Sequence, residues 1–176
     1  MAKKDYSPAE AVKLYIGDLE FDAIRITETS EYRMSQSQVL KAISVAKYYL
    51  ARLPYHAPDK ARRLASKGFT WVSLAVKYYD GKQSRYAETL SLDDAFTLWR
   101  FEDKNDNVKA EIILDALGKD SLRDRFDQVY GTCRTIEQRR EDDNRIMDKP
   151  RKSHPLFGDK NMDKVASFLK SGTQPP

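Results

Sequence analysis

At 176 residues, 40% of them apolar and 33% charged, the chain is long enough for one domain with a real but thin core. No run approaches the roughly 18 apolar residues of a membrane span, and Met1-Ala2-Lys3-Lys4-Asp5 leads into no apolar stretch of the secretory kind. The single cysteine, Cys133, excludes an internal disulfide framework, so the expectation is a soluble cytoplasmic protein. A net charge of +4 permits a polyanionic partner without demanding one, because steering depends on where the charge sits.

Ser7-Pro8-Ala9-Glu10 offers a serine cap with proline at the first helical position, which predicts a short helix ending near Gly17. From Leu19 to Thr27 apolar and polar residues alternate, the pattern of a half-buried strand. After a turn at 28–31, Tyr32-Arg33-Met34 is a short returning strand. The stretch from Tyr32 to Leu53 reads as a helix-turn-helix. Val39 and Ile43 lie one turn apart on the inner face of a first helix, Ser44-Val45 form the turn, and Leu50 and Leu53 bring a second helix inward. The second helix of such a unit can lie in the major groove with its N-terminal side chains at the base edges. Ser44 stands where the turn usually has glycine, the residue that takes positive φ freely.

Tyr55-His56-Ala57-Pro58 reads as a linker, and Asp59 as the cap of a basic helix from Lys60 to Lys67 that Gly68 ends. Phe69 to Tyr79, β-branched and aromatic, predicts a strand. Asp80-Gly81-Lys82-Gln83 then predicts a hairpin turn, with Arg85 to Leu90 as the partner strand. Ser91-Leu92-Asp93-Asp94 opens a helix expected to bury Ala95, Phe96, Leu98 and Trp99. Asp106-Asn107 breaks it, Val108 to Leu117 forms the next helix, ended by Gly118, and Leu122 to Tyr130 another, ended by Gly131. Thr135 caps a polar helix running to about Asp148, with little face to bury. Residues 149–176, basic and rich in proline and glycine, are expected to form a flexible tail behind a single domain at 1–148. The expected fold class is α+β: small antiparallel hairpins, the helix-turn-helix-like unit and a C-terminal helical layer.

Catalysis finds little raw material. His56 and His154 sit beside prolines, one cysteine and two scattered histidines make no zinc spacing, and no glycine-rich phosphate loop exists. Asp93-Asp94 suit the start of a helix, and Glu141-Asp142-Asp143 suit a solvated face paired with Arg139, Arg140 and Arg145. No metal or cofactor is expected, and the chain reads as a non-enzyme. A metal-dependent nuclease using Asp22, Glu88 and Lys77 is the least favoured alternative.

Nucleic-acid binding has more to work with. Arg33, Lys41, Lys47, Arg52, Arg62, Arg63, Lys67, Lys82 and Arg85 supply candidate phosphate contacts, Gln36 and Gln38 amides that can read adenine, and Tyr48 a ring for stacking or a donor. Trp99, Phe101, Phe126, Val129 and Tyr130 form a large apolar load for short helices, and are expected to make a homodimer or partner interface. The expected partner is double-stranded DNA. The runner-up function is a protein–protein adaptor that antagonises a repressor through the C-terminal helices.

Several blocks, in order, resemble an uncharacterised cyanobacterial mobile-element family that is compared with the Bro-N and KilA-N DNA-binding domains of phage antirepressors. They are Tyr32-Arg33-Met34-Ser35-Gln36, Lys67-Gly68-Phe69, Lys82-Gln83-Ser84-Arg85, Ser91-Leu92-Asp93 with Trp99, and Ala116-Leu117 followed by Ser121-Leu122, Arg125-Phe126-Asp127 and Tyr130-Gly131. Asp106-Asn107 stands where the family has Gly-Asn. The resemblance spans about residues 20–145 and implies DNA binding in the regulation or maintenance of a plasmid or phage-like element.

Overall fold

Alternation, which marks Leu19 to Ile26 as a strand, also governs the segment before it. The structure, a computed structural model, describes residues 6–79, 82–130 and 133–149, apart from the side chains of 122 and 125–130. In chain order its elements are β1 (Ser7–Ile16), β2 (Leu19–Ile26), β3 (Tyr32–Ser35), α1 (Gln36–Ala42), α2 (Tyr49–His56), α3 (Pro58–Ser66), β4 (Leu74–Tyr79), β5 (Ser84–Ser91), α4 (Leu92–Asp103), α5 (Val108–Tyr130) and α6 (Ile136–Met147). The fold class is α+β. The helix expected at 7–17 is strand β1, because the cap signal of Ser7-Pro8 is local and weak beside pairing on both edges. Ala9 to Ile16 pair antiparallel with β2, and Ser7 to Glu10 pair parallel with β4.

That parallel pairing closes the sheet. The strand order is β1-β2-β3-β5-β4 and back to β1, so the two expected hairpins are parts of one closed barrel. Its interior is small. Ile24, Ile26, Val76 and Tyr78 fill it against Ala9, Ala11, Leu74 and Ala87, the alanines making room for the larger residues opposite. The larger core lies outside the wall, under the helices. There Phe21, Met34 and Leu90 of the barrel meet Val39, Leu40, Leu64, Leu98 and Trp99. Phe21 and Trp99 pack edge to face at 5.9 Å. The Trp99 indole N–H also donates to the Val39 carbonyl at 3.2 Å, tying α4 to α1.

Several expectations are corrected here. Trp99 and Phe101 are 2% and 6% exposed: they close this core and are not an interface. The side chains of Phe126, Val129 and Tyr130 lie outside the described residues. Phe96, expected inside, is 45% exposed, because α4 turns Ala95, Leu98, Trp99 and Glu102 inward and Phe96 falls between those rows. α5 runs unbroken through Gly118, where the packed helix tolerates the glycine's cost of about 1 kcal/mol. Residues 69–73 are not strand. Thr70 donates its N–H and hydroxyl to the fully buried Asp94 at 2.7 and 2.6 Å, and Trp71 takes φ of +61°, so regular pairing begins only at Leu74. α2 passes through Pro54 and ends at His56 instead of stopping before a linker; the proline leaves only the Leu50 carbonyl without its helical donor.

α6 forms as expected, with a complete capping box between Thr135 and Gln138. It docks by charge more than by apolar area. The buried Asp143 accepts from the Gly17 N–H at 3.3 Å, and Asp18 accepts from Arg140 at 2.9 Å and Asn144 at 3.2 Å. Gly17 takes φ of +57° in the two-residue β1–β2 turn, and a Cβ there would lie 2.6 Å from Asn144 Oδ1. The expected tail, from 150 onward, lies outside the described residues.

Candidate nucleic-acid interface

α1 and α2 both form, but six residues, Ile43 to Tyr48, join them, more than the three or four of a tight helix-turn-helix. Ser44 adopts φ of +55° without glycine. The strain is offset by ties to α5 and the residues before it: Asn107 caps the Ile43 carbonyl at 3.0 Å, and Lys109 donates to Ser44 Oγ at 2.6 Å. The longer connection lifts Lys47 and Tyr48 off α2 and onto a loop beside the barrel.

There they form one wall of an open cleft of about 610 Å³. Gln36, Ser37, Gln38 and Ala51 belong to the same side. The opposite wall is Gln83 to Glu88 of the β4–β5 hairpin, and the floor is Asp22, Ser35 and Tyr78. Tyr48 is 57% and Tyr86 58% exposed. The Lys47 ammonium and the Arg52 guanidinium lie 5.5 and 5.6 Å from the centre of the Tyr48 ring, and neither cation forms an ion pair among the described residues. Ser35 Oγ and Ser37 Oγ are 3.0 Å apart, and the Gln36 amide makes no hydrogen bond among the described residues.

The floor is a polar lock. Asp22, on the inward face of β2, accepts from Lys13 Nζ at 2.7 Å, from the Tyr78 hydroxyl at 2.8 Å and from Gln38 Nε2 at 3.1 Å. Its own N–H donates to Gln38 Oε1 at 2.9 Å, so one amide side chain fixes the start of α1 to the barrel in both directions. Burial alone would push the Asp22 carboxyl up, but the donations from Lys13, Tyr78 and Gln38 outweigh it and hold it below the usual carboxylate range. Tyr78 is pushed up to about 12, by burial first and by its bond to Asp22 second. Bonds to Asp22 and Glu20 raise the Lys13 ammonium in turn.

Of the candidate contacts, Gln36, Gln38, Lys47, Tyr48 and Arg85 line this cleft, with Arg52 against Tyr48 and Lys82 one residue before Gln83. Gln38 and Arg33 are engaged within the fold. Gln38 is the lock just described. Arg33 points into the other end of the barrel, its side chain 6% exposed, where it donates to Thr89 Oγ1 at 2.9 Å, to the Thr89 and Val72 carbonyls, and to Glu31 at 2.6 Å; it is a structural cation, not a phosphate contact. Lys41 faces a different cleft, with Asp18, Glu20, Lys109 and Asp148. On α3, Arg62 pairs with Asp59, Arg63 lies over Phe101, and Lys67 borders a small pocket with Phe96, Arg100 and Lys104. Of the three nuclease candidates, Asp22 and Glu88 line the main cleft and Lys77 does not; Lys77 lies over the Tyr86 ring at 5.7 Å. No group of carboxylates, histidines or cysteines among the described residues could hold a metal.

Sequence reading missed Ser35, Ser37, Tyr78 and Tyr86. The inward parity of Asp22 and Tyr78 was available from alternation, but not the closure that brings β2 and β4 within one bond. No family model matches the chain, and neither a curated protein nor a solved structure matches it. No helix among the described residues is long and apolar enough to cross a membrane.

Proposed function

We propose that the protein binds DNA through the cleft between the α1–α2 unit and the β4–β5 hairpin. The observation that carries this reading is convergence. Lys47 and Tyr48, from one stretch of chain and with Arg52 against the Tyr48 ring, line one concave surface with Arg85 and Tyr86, from another. Lys47 and Arg52, without a carboxylate partner among the described residues and beside an exposed ring, suit a phosphate backbone with bases attached. A role in regulating or maintaining a mobile element rests on the resemblance of residues 20–145 alone.

Electrophoretic mobility with and without Mg²⁺ tests the reading. A retarded band independent of Mg²⁺ supports it, no shift favours an adaptor that acts on another protein, and Mg²⁺-dependent cleavage favours a nuclease. Reversing Lys82 and Arg85 to Glu should abolish the shift. A variant that keeps both affinity and melting temperature removes the hairpin from the site.

A further inference from the structure

Building on the DNA-binding reading, we propose that the cleft takes an unpaired nucleotide of a single strand, with its base stacked on Tyr48. Shape is the first argument. A 610 Å³ concavity falls in the range of about 300–1,000 Å³ that encloses one small-molecule-sized group. Reading a duplex calls for the converse, a convex element that enters a groove about 12 Å wide. Here Lys47 and Tyr48 sit on the exposed loop between α1 and α2, along one wall of the cleft, and residues 83–88 form the other.

Chemistry is the second argument. Tyr48 presents an exposed ring from one wall, and every base has a face that can stack on such a ring; Tyr86, on the other wall, packs edge to face on Tyr6 at 4.8 Å. Lys47 and Arg52 already lie over Tyr48 and have no carboxylate partner among the described residues. A base arriving on the ring displaces the flexible lysine toward the phosphate, while the planar guanidinium can stack beside the base. Below, the Gln36 amide and the Ser35–Ser37 hydroxyl pair offer donors and acceptors to a base edge, which a paired base hides.

Fluorescence anisotropy on the full chain decides the matter, with four probes: an oligothymidylate of about 12 nucleotides, an oligouridylate of the same length, a duplex of that length and free thymidine monophosphate. The expected result is that at least one single strand binds about tenfold or more tighter than the duplex. Tyr48→Ala then weakens the strand by about 5- to 150-fold, Tyr48→Phe leaves it near wild type, and both variants keep the wild-type circular dichroism. A thymidylate strand bound more tightly supports DNA as the ligand; a uridylate strand bound more tightly keeps the stacked nucleotide and overturns the DNA reading. A duplex that binds as tightly as either strand, or strand binding indifferent to Tyr48→Ala, overturns this inference and leaves DNA binding standing. Binding of thymidine monophosphate alone overturns the strand assignment. Failure of every probe overturns both readings.

Discussion

The two ends of this protein treat their arginines and lysines in opposite ways. Where α5 meets α6, the cations are matched. Arg134, 11% exposed, bridges Asp120, Asp124 and Asp142 at 2.9, 2.7 and 3.0 Å, while Arg123 and Arg145 pair with Asp142, Arg139 with Asp124, and Arg140 with Asp18. Along the cleft, Lys47 and Arg52 have, among the described residues, no ion pair, and both lie over the Tyr48 ring. Among the described residues, then, one end is saturated with ion pairs and the other has cations to spare. Matched charges hold helices together. Unmatched ones cost nothing to leave in water and keep their attraction for an external anion.

The sharpest way to break this contrast is Arg134→Ala. It removes the one cation shared by three partly buried carboxylates, which keep Arg123, Arg139 and Arg145 around them, and should destabilise the fold by about 2–3 kcal/mol in urea denaturation. A loss below about 1 kcal/mol would mean that the network is ornamental. Asp22→Asn probes the floor of the cleft, where a charge is matched but partly buried. It should cost about 2 kcal/mol at neutral pH by weakening three charge-assisted bonds. The depressed folded value fixes the sign: the stabilisation is present above the unfolded value near 3.9 and disappears as pH falls through the folded one. The melting temperatures of wild type and Asp22→Asn should therefore converge in acid, and a constant gap from pH 7 to pH 2 would deny the charge any role. Smaller still, Gly17→Ala forces a Cβ into the left-handed region and against Asn144, for about 1–2 kcal/mol. Hydrogen exchange should show the loosening in α6 and leave α1 untouched.

Local signals carried much of this fold. Ser91 and Thr135 cap α4 and α6 through their hydroxyls, accepting from Asp94 and Gln138, as their spacing to a carboxylate or amide predicts. Leu50 and Leu53 are buried, as the helix pair requires. What sequence could not show is closure. β1 carries a helix-start signal, and only its parallel partner 69 positions later, Val76 against Ser7, makes it a strand. The same blindness affected the site. Arg33 and Gln38 have the right chemistry for nucleic acid, yet closure turns one into the barrel and spends the other on Asp22. Tyr78 and Tyr86 looked like ordinary strand residues until the register placed them beside Asp22 and across from Tyr48. The apolar load on α4 was legible as load. Its destination, the core under the barrel wall, depended on long-range packing of Trp99 on Phe21 and Val39.

The contrast between spare and matched cations can be measured directly in the salt dependence of DNA binding. Each phosphate neutralised contributes about 0.9 to the log–log slope on duplex and about 0.7 on a single strand. The double variant Lys47→Ala, Arg52→Ala should lower the slope by roughly twice that amount and leave stability within about 0.5 kcal/mol of wild type. Arg145→Ala, at the saturated end and 75% exposed, should leave the slope unchanged. Equal slopes for the wild type and the double variant, or a slope that falls only with Arg145→Ala, would contradict the account.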